Sequence, residues 1–385
     1  MKVAGRTTAI TPFYAMEVLK AANERAAQGD DVLHMEVGEP AGGAPEAVLQ
    51  AAKDALSNGT GLGYTETLGV PELRQAISDH YRATGGLEID PETIMVTTGS
   101  SGGFLLAFLA AFDAGDRVAL ASPGYPAYRN IMAALGIEAV DLASDLADRF
   151  QPTPALLDAA IEKGGKLDGL LIASPANPTG TMLDHDALSV LVDYCKARDI
   201  RIISDEVYHG ITYGAPAETI VTLDKQAIAV NSFSKYYAMT GWRLGWMVLP
   251  DDLVRPIERL AQNLFISPPT LSQLAALAAF DARPELEAKV AAYAKNREML
   301  LRELPKLGFD KLAPADGAFY IYADVGHLTQ DSADFCKRML AETGVAATPG
   351  VDFDPDRGHA YIRFSFAGAW DDMVSAVASL KDWMP

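Results

Sequence analysis

The sequence predicts an α/β protein: one large domain built on a sheet flanked by helices, and a second, smaller α+β domain. Three observations predict it. Short β-branched or aliphatic runs alternate with longer helical patterns through the middle of the chain, the signature of a parallel sheet with crossover helices. After Pro305 the pattern changes to short strands around a single helix. At 385 residues the chain is also long enough for two to three domains.

Taken in order, residues 11–28 read as an N-terminal helix that packs on either domain. Strands are expected at 93–98, 117–121, 170–173, 201–204, 227–231 and 244–249. Residues 104–112, 184–198 and 271–280 repeat apolar side chains at helical spacing, with Asp184 a natural N-cap for its segment. The stretch 283–304 is a long, charged, amphipathic helix. Beyond it, 318–322 and 360–365 read as strands with a helix between them. No repeat or Gly/Ser linker divides the halves, so the boundary is placed near Pro284. The large domain spans 45–284, and the small domain combines 1–44 with 285–385.

Composition narrows the function. A hydrophobic fraction of 49% and a charged fraction of 22% suit a globular chain. The net charge of −19 would repel phosphate backbones, so nucleic acid is not an expected partner. The most apolar run, 104–112, is half the ~20 residues a membrane span needs, and reads as a buried helix. Residues 1–10 lack the apolar stretch of a secretion signal, so a cytoplasmic location is expected. Cys195 and Cys336 are far apart and read as core thiols in a reducing compartment. The six histidines form no ligand-type spacing, so no protein-bound metal is expected.

In open α/β sheets ligands bind beyond the carboxyl ends of the strands, which makes the residues after each predicted strand informative. After Thr98 comes Gly99-Ser100-Ser101-Gly102-Gly103 leading into a helix, a source of backbone N–H groups and hydroxyls for an anion. Asn177 lies in a loop between Pro175 and Pro178. Asp205 ends a strand, with Tyr208 three residues on. Ser232, Ser234 and Lys235 follow the next strand, and Arg243 precedes the one after. Lysine attacks carbonyls only when neutral, which a desolvated position beside another cation favours, and Arg243 is the candidate neighbour. Each feature alone has a plain alternative: a glycine-rich turn, a proline turn, an N-capping aspartate, a surface lysine. Together they form the set that a phosphorylated, cationic aromatic aldehyde needs.

These residues resemble the class I/II aminotransferases of pyridoxal-phosphate fold type I, from Pro12 to about Ser375. The matching motifs are Gly38-Glu39-Pro40, Tyr64-Thr65, Pro71-Glu72-Leu73-Arg74, Pro123-Gly124-Tyr125-Pro126, Asn177-Pro178-Thr179-Gly180, Asp205-Glu206-Val207-Tyr208, Ser232-Phe233-Ser234-Lys235, Gly241-Trp242-Arg243-Leu244-Gly245 and Ile362-Arg363-Phe364-Ser365. Their order and spacing are specific where each alone is weak. The resemblance implies a mixed, mostly parallel sheet and pyridoxal 5'-phosphate as cofactor. It makes Lys235 the Schiff-base lysine and proton carrier. Asp205 becomes the partner of the pyridine nitrogen, and Asn177 and Tyr208 partners of the ring oxygen. Ser100, Ser101, Gly102, Ser232, Ser234 and Arg243 would hold the phosphate, and Tyr125 would stack on the ring. Arg363, with Gly38 and Asn177, would clamp the substrate carboxylate. Tyr64 would reach the phosphate of a neighbouring subunit, which implies a homodimer with shared sites, acting on an amino acid and a 2-oxo acid. A cis Asn177–Pro178 bond is also implied. One departure stands out: the family commonly has Phe-Gly where this chain has Phe353-Asp354. The same cofactor residues would serve a β-eliminating C–S lyase. A non-catalytic, cofactor-sensing regulator would need a DNA-binding domain ahead of the fold, which is not expected here. The preferred amino donor stays open.

Overall fold

The computed structural model describes residues 1–8 and 10–384. Thirteen strands occur among them: β1 Leu33–His34, β2 Ile94–Thr97, β3 Arg117–Ser122, β4 Glu138–Ala143, β5 Gly169–Ala173, β6 Arg201–Asp205, β7 Ile228–Ser232, β8 Gly245–Val248, β9 Lys311–Leu312, β10 Tyr320–Asp324, β11 Val345–Ala346, β12 Thr348–Pro349 and β13 Tyr361–Ser365.

Seven of them form one sheet in the order β2-β8-β7-β6-β5-β3-β4. Only β8 runs against its neighbours, so the sheet is mixed and mostly parallel as expected. Strands β2, β7 and β8 are buried along their whole length, which explains why they read as continuous apolar runs rather than alternating ones. Core side chains pack on both faces, around Leu73, Ile172 and Trp246 in one cluster and Phe104, Val230 and Met247 in another.

The helix Gly99–Ala111 lies close on the sheet because Gly103 has no side chain: a Cβ there would sit 3.2 Å from Val230. It starts at Gly99, within the glycine-serine run itself. The segment expected as a helix at 271–280 is α-helical over Thr270–Ala276 and continues as a 3-10 turn over Leu277–Ala282. Asp184 caps the helix His185–Lys196, accepting the Ala187 N–H at 2.9 Å. Strand β4 escaped the sequence reading because it is an edge strand: of its six residues only Leu142 is buried.

A second, antiparallel sheet runs β12-β13-β10-β9, and β1 pairs in parallel with β11. Strand β10 begins two residues later than the sequence suggests, since Ala318 adopts φ +55° and is still in the turn. Its core contains Met35, Phe309, Phe319, Tyr320 and Phe364. The N-terminal helix Tyr14–Ala27 packs here, with Ala22 against Leu340 and Ala346. Both cysteines are buried and unpaired. No helix among the described residues is long and apolar enough to cross a membrane.

Candidate active site

Strands β6 and β7 are parallel neighbours, and their carboxyl ends deliver the acid and the lysine that the sequence singled out. Asp205 is the last residue of β6, and Lys235 follows three residues beyond β7. The turn that presents Lys235 is anchored by buried Phe233, whose ring packs on Trp246 at 4.9 Å. The Lys235 amine donates to the carbonyl of Gly38 at 2.6 Å. Burial lowers its pKa to about 8, helped first by the Arg363 guanidinium and less by Arg243, with Glu39 opposing. The sequence named Arg243 as the cation that tunes Lys235; the folded chain gives Arg363 the larger part, because β13 brings it within electrostatic reach of the amine.

Asp205 is buried, and its two oxygens accept from the Tyr128 hydroxyl and from the Val207 N–H, the latter at 3.0 Å. Burial raises its pKa to about 6 against both hydrogen bonds. Among the described residues no cationic side chain donates to it. Tyr208 is buried with its hydroxyl 2.7 Å from that of Tyr320. Asn177 precedes a cis proline bond, as the resemblance implied, and its Oδ1 accepts from Arg363 at 2.9 Å, which leaves the amide N–H groups for another partner.

The anion cradle forms where the helix Gly99–Ala111 begins. Its first N–H groups have no partner within the helix. Gly99, at φ +67°, lets Arg243 lie alongside: a Cβ there would fall 2.6 Å from the guanidinium. Gly245 likewise admits the Ser100 backbone, which a Cβ would approach to 2.9 Å. Ser100 and Gly102 are in this first turn, while Ser101 faces solvent. Ser232 Oγ accepts the Ser234 N–H at 3.0 Å, shaping the loop ahead of Lys235. The donors thus suit a phosphate, and the unpaired buried acid suits a protonated ring nitrogen.

Arg363 is buried on β13 between two aromatic rings, its guanidinium carbon 4.4 Å from the Tyr320 ring centre and 4.8 Å from that of Phe353. It donates to the Glu36 carbonyl at 2.5 Å and to Thr348 Oγ1 at 3.1 Å, and its Nε has no partner among the described residues. Beside it, the departure at Asp354 has a structural role. The buried carboxylate accepts the Asp356 and Arg357 N–H groups and Arg357 Nε, while Arg357 donates to the Ser122 carbonyl at the end of β3. The Phe353 carbonyl accepts from Gly124 and Arg129. This loop therefore fastens the second sheet's edge to the mouth of the site.

Tyr125 meets Phe13 edge-on at 5.8 Å, so the N-terminal segment reaches the cavity. Tyr64 is the expected residue that the chain does not bring to this cluster: it is 82% exposed. The sequence reading missed Tyr128, Tyr320 and Thr348. A phenol on a predicted strand, in the same domain as the strand that carries Arg363, was the available signal for Tyr320; Tyr128, inside a helix, offered none.

Residues 30–379 match the family described as aminotransferase class I and II. A valine–pyruvate aminotransferase of Mycobacterium tuberculosis is 50% identical over 98% of this chain and 97% of its own length. A crystal structure of an aminotransferase from the same organism superposes with a TM-score of 0.96 at 49% identity, covering 100% of this chain and 99% of that one. The aspartate aminotransferase of Thermus thermophilus with maleate superposes at 0.91 and 30% identity, covering 99% of both chains. With the family match covering most of the chain, half of its residues shared with one relative over nearly the full length, and the fold superposing throughout, the chain belongs to the class I and II aminotransferases.

Proposed function

We propose that this aminotransferase moves an amino group between an L-amino acid and a 2-oxo acid in two half-reactions, using pyridoxal 5'-phosphate carried on Lys235. When bound, the cofactor supplies an aldehyde for the amine and a protonated ring that draws electrons from the substrate α-carbon. One observation carries the reading: the carboxyl ends of neighbouring strands β6 and β7 bring a buried acid with no cation hydrogen-bonded to it and a buried lysine within electrostatic reach of each other. Asp205 holds the proton on the ring nitrogen. Lys235, acting in its neutral form, removes the substrate α-proton and returns a proton to complete the transfer. Tyr208 and Asn177 donate toward the ring oxygen, and Tyr125 covers a ring face. Ser100, Ser101, Gly102, Ser232, Ser234 and Arg243 hold the phosphate at the helix N-terminus. Arg363 forks onto the α-carboxylate, aided by Asn177 and Gly38.

The same reading divides the chain into a cofactor-bearing body, 45–284, and a substrate-clamping body formed by 1–44 and 285–385. Two chains would share their sites through Tyr64. The 50% identity to a valine–pyruvate aminotransferase makes valine and pyruvate the first pair to test. Purified enzyme given an amino acid without acceptor should release one equivalent of 2-oxo acid per subunit and then stop. Continuous ammonia release would overturn transamination in favour of elimination.

A further inference from the structure

Tyr320 occupies a place in the site that neither Lys235 nor Arg363 accounts for. It lies on β10, fully buried at 1% exposure, in a strand paired with the one that carries Arg363. Its hydroxyl is 2.7 Å from the Tyr208 hydroxyl. The same hydroxyl fills the space beside Gly38, where any Cβ would collide with it, and the Gly38 carbonyl holds the Lys235 amine. Its ring face lies 4.4 Å from the Arg363 guanidinium carbon. One side chain thus touches the phenol on the ring-oxygen side, the backbone that restrains the lysine and the arginine that faces the substrate.

We propose that Tyr320 is a positioning residue with two separable parts: its hydroxyl donates to Tyr208 and so turns the Tyr208 proton toward the cofactor, and its ring holds Arg363 in place. The inference rests on the roles given above to Tyr208 and Arg363. The hydrogen-bond count supports the first part. Each phenol has one proton. If Tyr208 spends its proton on the cofactor's ring oxygen, the 2.7 Å contact survives only with Tyr320 as donor. A phenol that accepts such a bond is a better donor in turn, because bonds in a chain polarise one another. Donation toward the ring oxygen favours its anionic form, so losing the Tyr320 hydroxyl should make that form harder to reach. The second part follows from the ring: an arginine over an aromatic face is held by cation–π attraction without spending the N–H groups that a carboxylate needs.

The test uses the cofactor-loaded enzyme and follows the pH midpoint of its long-wavelength absorbance alongside steady-state kinetics. Tyr320→Phe should raise the midpoint by roughly 0.5–1 unit, the size of one neutral hydrogen bond, with KM for the amino donor changed less than about two-fold. Tyr320→Leu, which also removes the ring, should raise KM by roughly 2- to 30-fold. In a Tyr208→Phe background, Tyr320→Phe should move the midpoint no further, since the hydroxyl acts through Tyr208. An unmoved midpoint in Tyr320→Phe, or shifts that add in the double variant, overturns the hydroxyl's role; an unchanged KM in Tyr320→Leu overturns the ring's. If Lys235→Ala keeps the pH-dependent band, or Arg363→Ala keeps the KM, the underlying site reading fails and takes this inference with it.

Discussion

Asp205 and Lys235 are each pushed by burial toward the neutral state, and the consequence can be worked out in sign. The Asp205 pKa is raised from 3.8 to about 6, so its contribution to stability is present below 3.8 and lost as pH rises through 6. The Lys235 pKa is lowered from 10.5 to about 8, so its contribution is present above 10.5 and lost as pH falls through 8. Between about 6 and 8 both contributions are gone and the cofactor-free protein carries two poorly solvated charges. A ligand that pairs the acid with a ring cation and consumes the amine removes that strain and stabilises by mass action as well. Removing the cofactor should therefore lower Tm most in this window, measured by scanning fluorimetry across pH; a difference that is flat in pH would count against the two groups as its source. At Arg363 the geometry predicts a substitution effect of a different kind. Arg363→Lys keeps the charge but loses the fork, so KM for amino donors should rise by roughly 10- to 100-fold, with kcat falling less.

The N-terminal helix Tyr14–Ala27 shows what an element borrows from distant sequence. Phe13 stands at its N-cap position and offers no side-chain acceptor. The cap comes instead from Asp352, whose two oxygens accept the Tyr14 N–H at 3.0 Å and the Ala15 N–H at 3.2 Å. Asp352→Ala should destabilise the protein by about 1 kcal/mol, and hydrogen exchange should rise selectively over 14–27. Exchange that rises equally elsewhere would mean the carboxylate does something broader. The contrast with Asp184, three residues from the N–H it accepts and legible in the sequence, states the general limit. Local periodicity and caps located the central strands, and the residues after them supplied Lys235, Asp205 and Asn177. Strand β4 was invisible because an exposed edge carries no apolar run. Tyr128 was invisible because its bond to Asp205 spans 77 residues and nothing in a helix marks the face that turns toward a strand end. The substitution at Asp354 looked like a gap in the family pattern, and only the fold shows its carboxylate tying down Arg357.

At the scale of the whole molecule, one face of the chain is unlike the rest. Leu62 and Tyr64 stand exposed on one loop, and Leu264 and Ile266 where the helix Asp251–Leu264 runs into another. The two loops are tied together by Thr270 donating to the Gly63 carbonyl and Thr67 to that of Ile266. Grouped apolar side chains left in water mark an interaction surface. A second copy of this chain, giving Tyr64 to the cofactor phosphate of its partner as proposed above, would account for both the exposure and the position. Complementation tests this without a structure of the dimer. Lys235→Ala lacks the amine, and Tyr64→Ala should bind cofactor weakly; each homodimer is expected to be nearly inactive at limiting cofactor. After the two are unfolded together and refolded, half of the dimers are hybrids by random pairing. In each hybrid one site combines Lys235 from one chain with Tyr64 from the other, so activity should recover to roughly a quarter of wild type. Activity no greater than the sum of the two parents would mean that each chain completes its own site, and the exposed loops would then need another occupant.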